Sequence, residues 1–180
     1  MTSGEVKDDS FNFIITTYRH HEAEAREEAT RLISQFTRNV TVKTTQIKGL
    51  LIGDSDVDPV EISRRFHNMI TDDPLSIRWI LRFIPIQANC KSSVQEVEIA
   101  AISLLPKLDK HHKFRITVER RFSQLDPQQI IKAIANHIDN PVDLEEPDDI
   151  ILIEILGGRA GLSIIRPGDI FSALKAKLGP

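Results

Sequence analysis

The sequence predicts an α+β fold arranged as two successive units, and three observations lead there. Short runs whose apolar residues alternate at period two are interleaved with segments whose apolar residues recur at helical spacing. From Phe11 to Ile86 the order of these runs is β-α-β-β-α-β, the ferredoxin-like arrangement of an antiparallel sheet with two helices on one side. Beyond it the order becomes α-β-α-β-β, ending in a continuous apolar run and a Gly157-Gly158 turn.

The expected boundaries are a first unit over 10–75, a strand over 76–88 that joins the two, a second unit over 89–168, and a tail over 169–180. Met1 to Ser10 is polar and is expected to fray. Phe11 to Tyr18 sets Phe11, Phe13 and Ile15 against Asn12, Ile14 and Thr16, a strand. From Glu22 to Phe36 the stripe Ala25, Ala29, Leu32, Ile33, Phe36 predicts a helix, with glutamates early, where the helix dipole favours them. Val40–Thr45 and Ile47–Ile52 are two short strands. Asp58-Pro59-Val60-Glu61 starts the next helix with a cap, a proline whose missing N–H costs nothing at the first position, and a side chain that reaches back. Its buried stripe is Ile62, Phe66, Met69 and Ile70. Ile77–Ile86 reads as a strand, with Ile77, Trp79, Leu81 and Phe83 on one face and Arg78, Ile80, Arg82 and Ile84 on the other.

In the second unit, Ser93 and Glu96 cap a helix faced by Val97, Ala100, Ala101, Leu104 and Leu105, and Pro106 ends it. Phe114, Ile116 and Val118 alternate with Arg115, Thr117 and Glu119 in a strand that closes on Arg120-Arg121. Asp126-Pro127 opens a helix with the stripe Ile130, Ile131, Ile134, Ala135, Ile138, closed by Asn140-Pro141 because the residue before a proline avoids helical geometry. Ile150 to Leu156 is too uniformly apolar for a sheet with one wet face, so a central strand covered by helices is expected. The tail, Asp169 to Leu178, reads as a short terminal helix.

Composition narrows the function classes. The chain has 180 residues, 41% of them apolar, and no apolar stretch approaches the roughly 20 residues of a membrane helix. It also lacks the order of basic, apolar and small residues of a signal peptide, so a soluble cytoplasmic protein without membrane contact is expected. A single cysteine, Cys90, excludes an internal disulfide and a multi-cysteine zinc site. The net charge is −3, yet residues 76–142 carry 10 Lys/Arg against 6 Asp/Glu while both flanks are acidic. An anionic partner would therefore be sought in the middle of the chain.

No residue set reads as catalytic machinery, and neither a metal nor a cofactor is expected. His20-His21 with Glu24 puts one imidazole and one carboxylate an i, i+4 step apart, but a third metal ligand is missing nearby and a solvated helix start accounts for the pair. His111-His112 reads as an exposed loop, and the acidic cluster Glu145, Glu146, Asp148, Asp149 as a solvated linker around Pro147. Cys90 has no base in its neighbourhood and reads as an apolar filler. Gly157-Gly158-Arg159-Ala160-Gly161 lacks the lysine of a phosphate loop and reads as a hairpin turn. Small phosphatases of the ferredoxin-like type resemble one another in a glycine-bearing arginine loop, whereas the equivalent stretch is Thr17-Tyr18-Arg19-His20-His21.

The helix from Asp126 through Ile130, Ile134, Ala135 and Ile138, then Asp143-Leu144, Pro147-Asp148, Ile153-Glu154-Ile155 and Ala160, Ser163, Ile164, resembles the THUMP domain. With RFIPIQANC upstream (Arg82, Pro85, Cys90), it looks like the branch of that family that serves as a stand-alone RNA-binding adaptor in tRNA cytidine acetylation. The resemblance implies a ferredoxin-like domain followed by a THUMP α/β domain. It further implies a partner tRNA gripped by its acceptor end, with the THUMP part on the CCA terminus, and a separate tRNA cytidine acetyltransferase as second partner. The candidate RNA surface is Arg78, Arg82, Arg115, Arg120, Arg121, Lys132 and Arg159, since structured RNA is read mainly through backbone and shape. Two other readings stand beside it: a protein-interaction scaffold that docks through the acidic N-terminal unit, and a small ferredoxin-like hydrolase.

Overall fold

The computed structural model describes residues 10–179, so the segment expected to fray lies, except for Ser10, outside the described residues. The elements in chain order are β1 (Phe13–Thr16), α1 (Glu22–Ile33), β2 (Val40–Thr44), β3 (Leu50–Ser55), α2 (Pro59–Asp72), β4 (Arg82–Pro85) and β5 (Ala88–Lys91). There follow α3 (Val94–Leu104), β6 (Phe114–Arg121), α4 (Pro127–Ala135), β7 (Asp149–Leu156), β8 (Arg159–Ile165), β9 (Phe171–Ser172) and α5 (Ala173–Leu178). The caps form as their sequence signatures require: Asp58 accepts from the Val60 N–H, Ser93 from that of Glu96 and Asp126 from that of Gln128.

Two sheets result. The first has the order β2-β3-β1-β4-β9 with antiparallel neighbours throughout. The second has the order β5-β8-β7-β6, in which β6 and β7 are parallel, joined by the α4 crossover, and the other pairs antiparallel. Helices α1 and α2 cover one face of the first sheet through Ala25, Ala29, Leu32, Ile62 and Phe66 against Phe13, Ile15 and Phe83. On the second sheet, α3 and α4 bring Val97, Ala101, Ile130 and Ile134 against Ile151, Ile153 and Leu162.

The remaining faces of the two sheets pack on each other. Phe11, Ile14, Leu50, Ile84 and Ile86 of the first meet Ile150, Leu152 and Ile165 of the second in one buried cluster. This corrects the expectation that helices cover β7: one side is helix, the other is the first sheet. The demand for apolar residues on both faces is the same, which is why the run reads identically in sequence. The sheets approach closely at Gly161, where a Cβ would stand 2.9 Å from both Ile86 Cγ2 and Phe11 Cε2. Polar clamps flank this contact. The Asn89 side chain accepts from the Phe11 N–H (3.1 Å) and donates to its carbonyl (2.7 Å), and Ser163 Oγ donates to the Pro85 carbonyl (2.8 Å).

Three elements differ from the sequence expectation. The strand expected over 77–86 exists only at β4. Residues 78–80 instead wrap a buried carboxylate, Glu28, which accepts the backbone N–H groups of Arg78 (2.9 Å), Trp79 (2.9 Å) and Ile80 (3.0 Å). Donors consumed in this way cannot enter a sheet ladder. Residues 88–91 form an unforeseen edge strand of the second sheet. The tail, expected only as a helix, first pairs Phe171 and Ser172 with β4, so Phe171 is buried in the first core and α5 is confined to 173–178.

Candidate nucleic-acid interface

Register sets the chemistry at one end of the second sheet. Lys91 pairs with Arg159, Arg159 with Leu156, and Leu156 with Arg121, so four neighbouring strands place these residues in one row. Directly paired residues share a face. The row therefore turns three cations to the side of the sheet that Leu156 shares with the inter-sheet core. Gly157 closes the turn at φ 60, a left-handed conformation that costs glycine nothing, and its N–H donates to the Arg121 carbonyl at 2.8 Å. That bond ties the end of β6 to the β7–β8 turn.

Immediately past the row stands Phe122, with φ 53 and 78% of its surface exposed. A non-glycine residue in this region is held at a cost of roughly 1–2 kcal/mol, and an exposed ring returns none of it through burial. Beside it lies a cleft of about 400 Å³, lined by Phe122, Leu156, Gly157 and Arg159 from the second unit and by Lys43 and Ile47 from the first. Arg159 Nε is buried without an acceptor among the described residues. An aromatic face, an apolar wall and unpaired cationic N–H groups are what a nucleobase with its phosphate requires.

The seven candidate residues separate on the structure. Arg121 and Arg159 belong to the row. Arg120 points to the opposite side and donates from Nη1 to the Leu125 carbonyl at 2.6 Å. Arg121 Nη1 meets Glu154 Oε2 at 3.1 Å, and Glu154 is wholly buried. Burial pushes the Glu154 carboxyl up to about 7, against the pull of Arg121. Lys132 stands exposed on α4. Arg82 and Arg115 line a different groove, between the sheets. Arg78 lies in the first unit with its guanidinium over the Trp79 ring at 4.7 Å, and Trp79 stacks on His21 at 4.5 Å. Lys91 and Phe122 lie outside the expected set, because the edge strand β5 is only four residues long and a left-handed φ leaves no trace in a phenylalanine.

Other sequence candidates are engaged in structure. Burial raises the Cys90 thiol to about 11, far from a reactive thiolate. His112, expected in an exposed loop, is half-buried with Nδ1 2.7 Å from Asp149 Oδ2, and that hydrogen bond raises its pKa. In the acidic linker, Asp143 accepts from the Glu145 and Glu146 N–H groups and pairs with Lys113 at 2.8 Å, while Asp148 accepts from the Lys113 N–H. No helix among the described residues is long and apolar enough to cross a membrane.

The cationic row thus stands at the strand ends of a sheet whose other face is covered by α3 and α4. Residues 91–165 match the model of the THUMP domain, and the chain carries that domain. Over 152 residues the chain is 30% identical to the THUMP domain-containing protein 1 homolog of Drosophila melanogaster, which spans 79% of this chain and 46% of that protein. The chain thus covers less than half the length of this relative. In fold it is similar to TrmN from Thermus thermophilus, with a TM-score of 0.61 at 19% identity over 88% of this chain and 47% of the other. It is also similar to a 4-thiouridine synthetase solved with RNA and bound ATP, with a TM-score of 0.54 at 15% identity over 91% and 42%. At these identities the likeness is one of fold, and it spans both sheets.

Proposed function

We propose that this chain is an RNA-binding adaptor that holds tRNA by its acceptor/CCA end and presents it to a separate enzyme, a tRNA cytidine acetyltransferase. The chain itself makes no bond. Its contribution is positioning, which replaces part of the entropy cost of a bimolecular encounter. The first sheet, with the order β2-β3-β1-β4 and both α1 and α2 on one face, is read as the ferredoxin-like partner of the THUMP domain.

The observation that carries the proposal is the row Lys91–Arg159–Leu156–Arg121 ending at the exposed ring of Phe122. Support comes from the THUMP domain itself and from the fold likeness to a synthetase solved with RNA. The test compares full-length leucine tRNA with the same tRNA lacking CCA, from about 50 to 200 mM salt, for the native chain, Lys91→Gln and Arg159→Gln. Affinity is expected to drop on trimming, and each substitution to reduce the log–log salt slope by about one. Equal slopes in all three proteins would remove the row from the interface.

A further inference from the structure

The two sheets part along the edge where β9 ends the first and β6 ends the second, leaving a groove of about 580 Å³. Arg82 from β4, Arg115 from β6 and Lys175 from α5 converge on it, against one carboxylate, Glu119. Ile150 and Leu152 give it an apolar floor that continues the inter-sheet core. Arg115 is already fixed: its Nη1 donates to the Leu144 carbonyl at 2.9 Å. Its Nε is buried with no acceptor among the described residues, and Nε2 of His67 in the groove wall is buried without a hydrogen-bond partner among them. A buried guanidinium N–H without an acceptor is costly, and one that lies in a cationic groove is the pattern of a site whose acceptor is a ligand.

We propose that this groove binds a phosphate ester, with its phosphoryl oxygens on Arg115, Arg82 and Lys175 and its organic body over Ile150 and Leu152. A nucleotide fits the volume. The same chemistry is offered by a free nucleotide and by a phosphorylated RNA terminus. The site is distinct from the Lys91–Arg159 row, so it stands or falls separately from the proposed tRNA contact.

The experiment titrates AMP and inorganic phosphate into the whole chain at constant ionic strength, following calorimetry and the unfolding midpoint. The native chain, Arg115→Gln, Lys175→Gln and Arg38→Gln are compared. Lys175 is exposed on a terminal helix, so its substitution leaves the fold intact. AMP is expected to bind and to raise the midpoint, with affinity about tenfold weaker in each groove variant. Arg38→Gln, exposed and outside both the groove and the row, is expected to match the native chain. Displacement of AMP by a 5′-phosphorylated RNA hairpin would identify RNA as the source of the phosphate; AMP retained in its presence would identify a free nucleotide. No response to either anion at about 10 mM, or equal affinity in the groove variants and the native chain, overturns the proposal.

Discussion

Glu154→Gln probes a carboxyl that is wholly buried. Its pKa stands at about 7 instead of 4.5, because burial disfavours the charged form more than Arg121 at 3.1 Å favours it. The folded chain therefore binds this proton more tightly than the unfolded chain does. Stability falls as pH rises from 4.5 to about 7 and is level above that, a total of about 3 kcal/mol from this group. Glutamine keeps the shape and cannot ionise. Urea denaturation at intervals from pH 4.5 to 8.5 should show the native curve falling relative to the glutamine variant by about that amount, then running parallel. Taking the difference removes the contribution of His112, whose raised pKa also makes stability fall with rising pH. A difference curve that is flat, or that rises, refutes the placement of an uncharged carboxyl at this position. The substitution also releases Arg121 from its ion pair, so RNA affinity at pH 8 should rise.

Three further outcomes are expected. Glu28→Ala removes the acceptor of three consecutive N–H groups and should cost about 3–5 kcal/mol in urea, whereas a loss under 1 kcal/mol would mean that residues 78–80 hold their path without it. Phe122→Gly relieves a left-handed backbone worth roughly 1–2 kcal/mol and loses a similar amount to glycine's freedom in the unfolded chain, so stability is near unchanged. Its RNA affinity should nonetheless fall about tenfold, the loss of one stacked base. Asp143 is held down to about 2 by the Glu146 N–H, Lys113 and the Glu145 N–H, so it lends stability above pH 4 that is lost as pH falls toward 2. Asp143→Asn should flatten that acid limb in a denaturation series.

The elements most legible in sequence are those written in local chemistry. The Asp126-Pro127 cap, the Gly157-Gly158 turn and the alternation of Phe114 to Arg121 each appear where their residues place them. What escaped depends on partners distant in the chain. Residues 77–81 alternate like a strand, but their donors are taken by Glu28, fifty residues upstream of Arg78. Strand β5 is only four residues at a sheet edge, two of them polar, and β9 is two residues that pair only because the tail returns to β4. Cations could be chosen from the sequence, whereas the row needs a register across four strands and the lock on Arg121 needs a glutamate 33 residues away.

The buried contact between the sheets decides what kind of work the molecule can do. Eight wholly apolar residues, the close approach at Gly161 and the clamps at Asn89 and Ser163 join the units through backbone and core together. A hinge there would expose that core and leave the Phe11 and Pro85 carbonyls without donors, a cost far above thermal energy. Lys43 and Ile47 from one unit and Phe122 and Arg159 from the other therefore face their cleft in a fixed relation. In the proposed adaptor role that rigidity would be the chain's contribution to positioning, since every degree of freedom removed before an enzyme arrives is one the reaction need not lose.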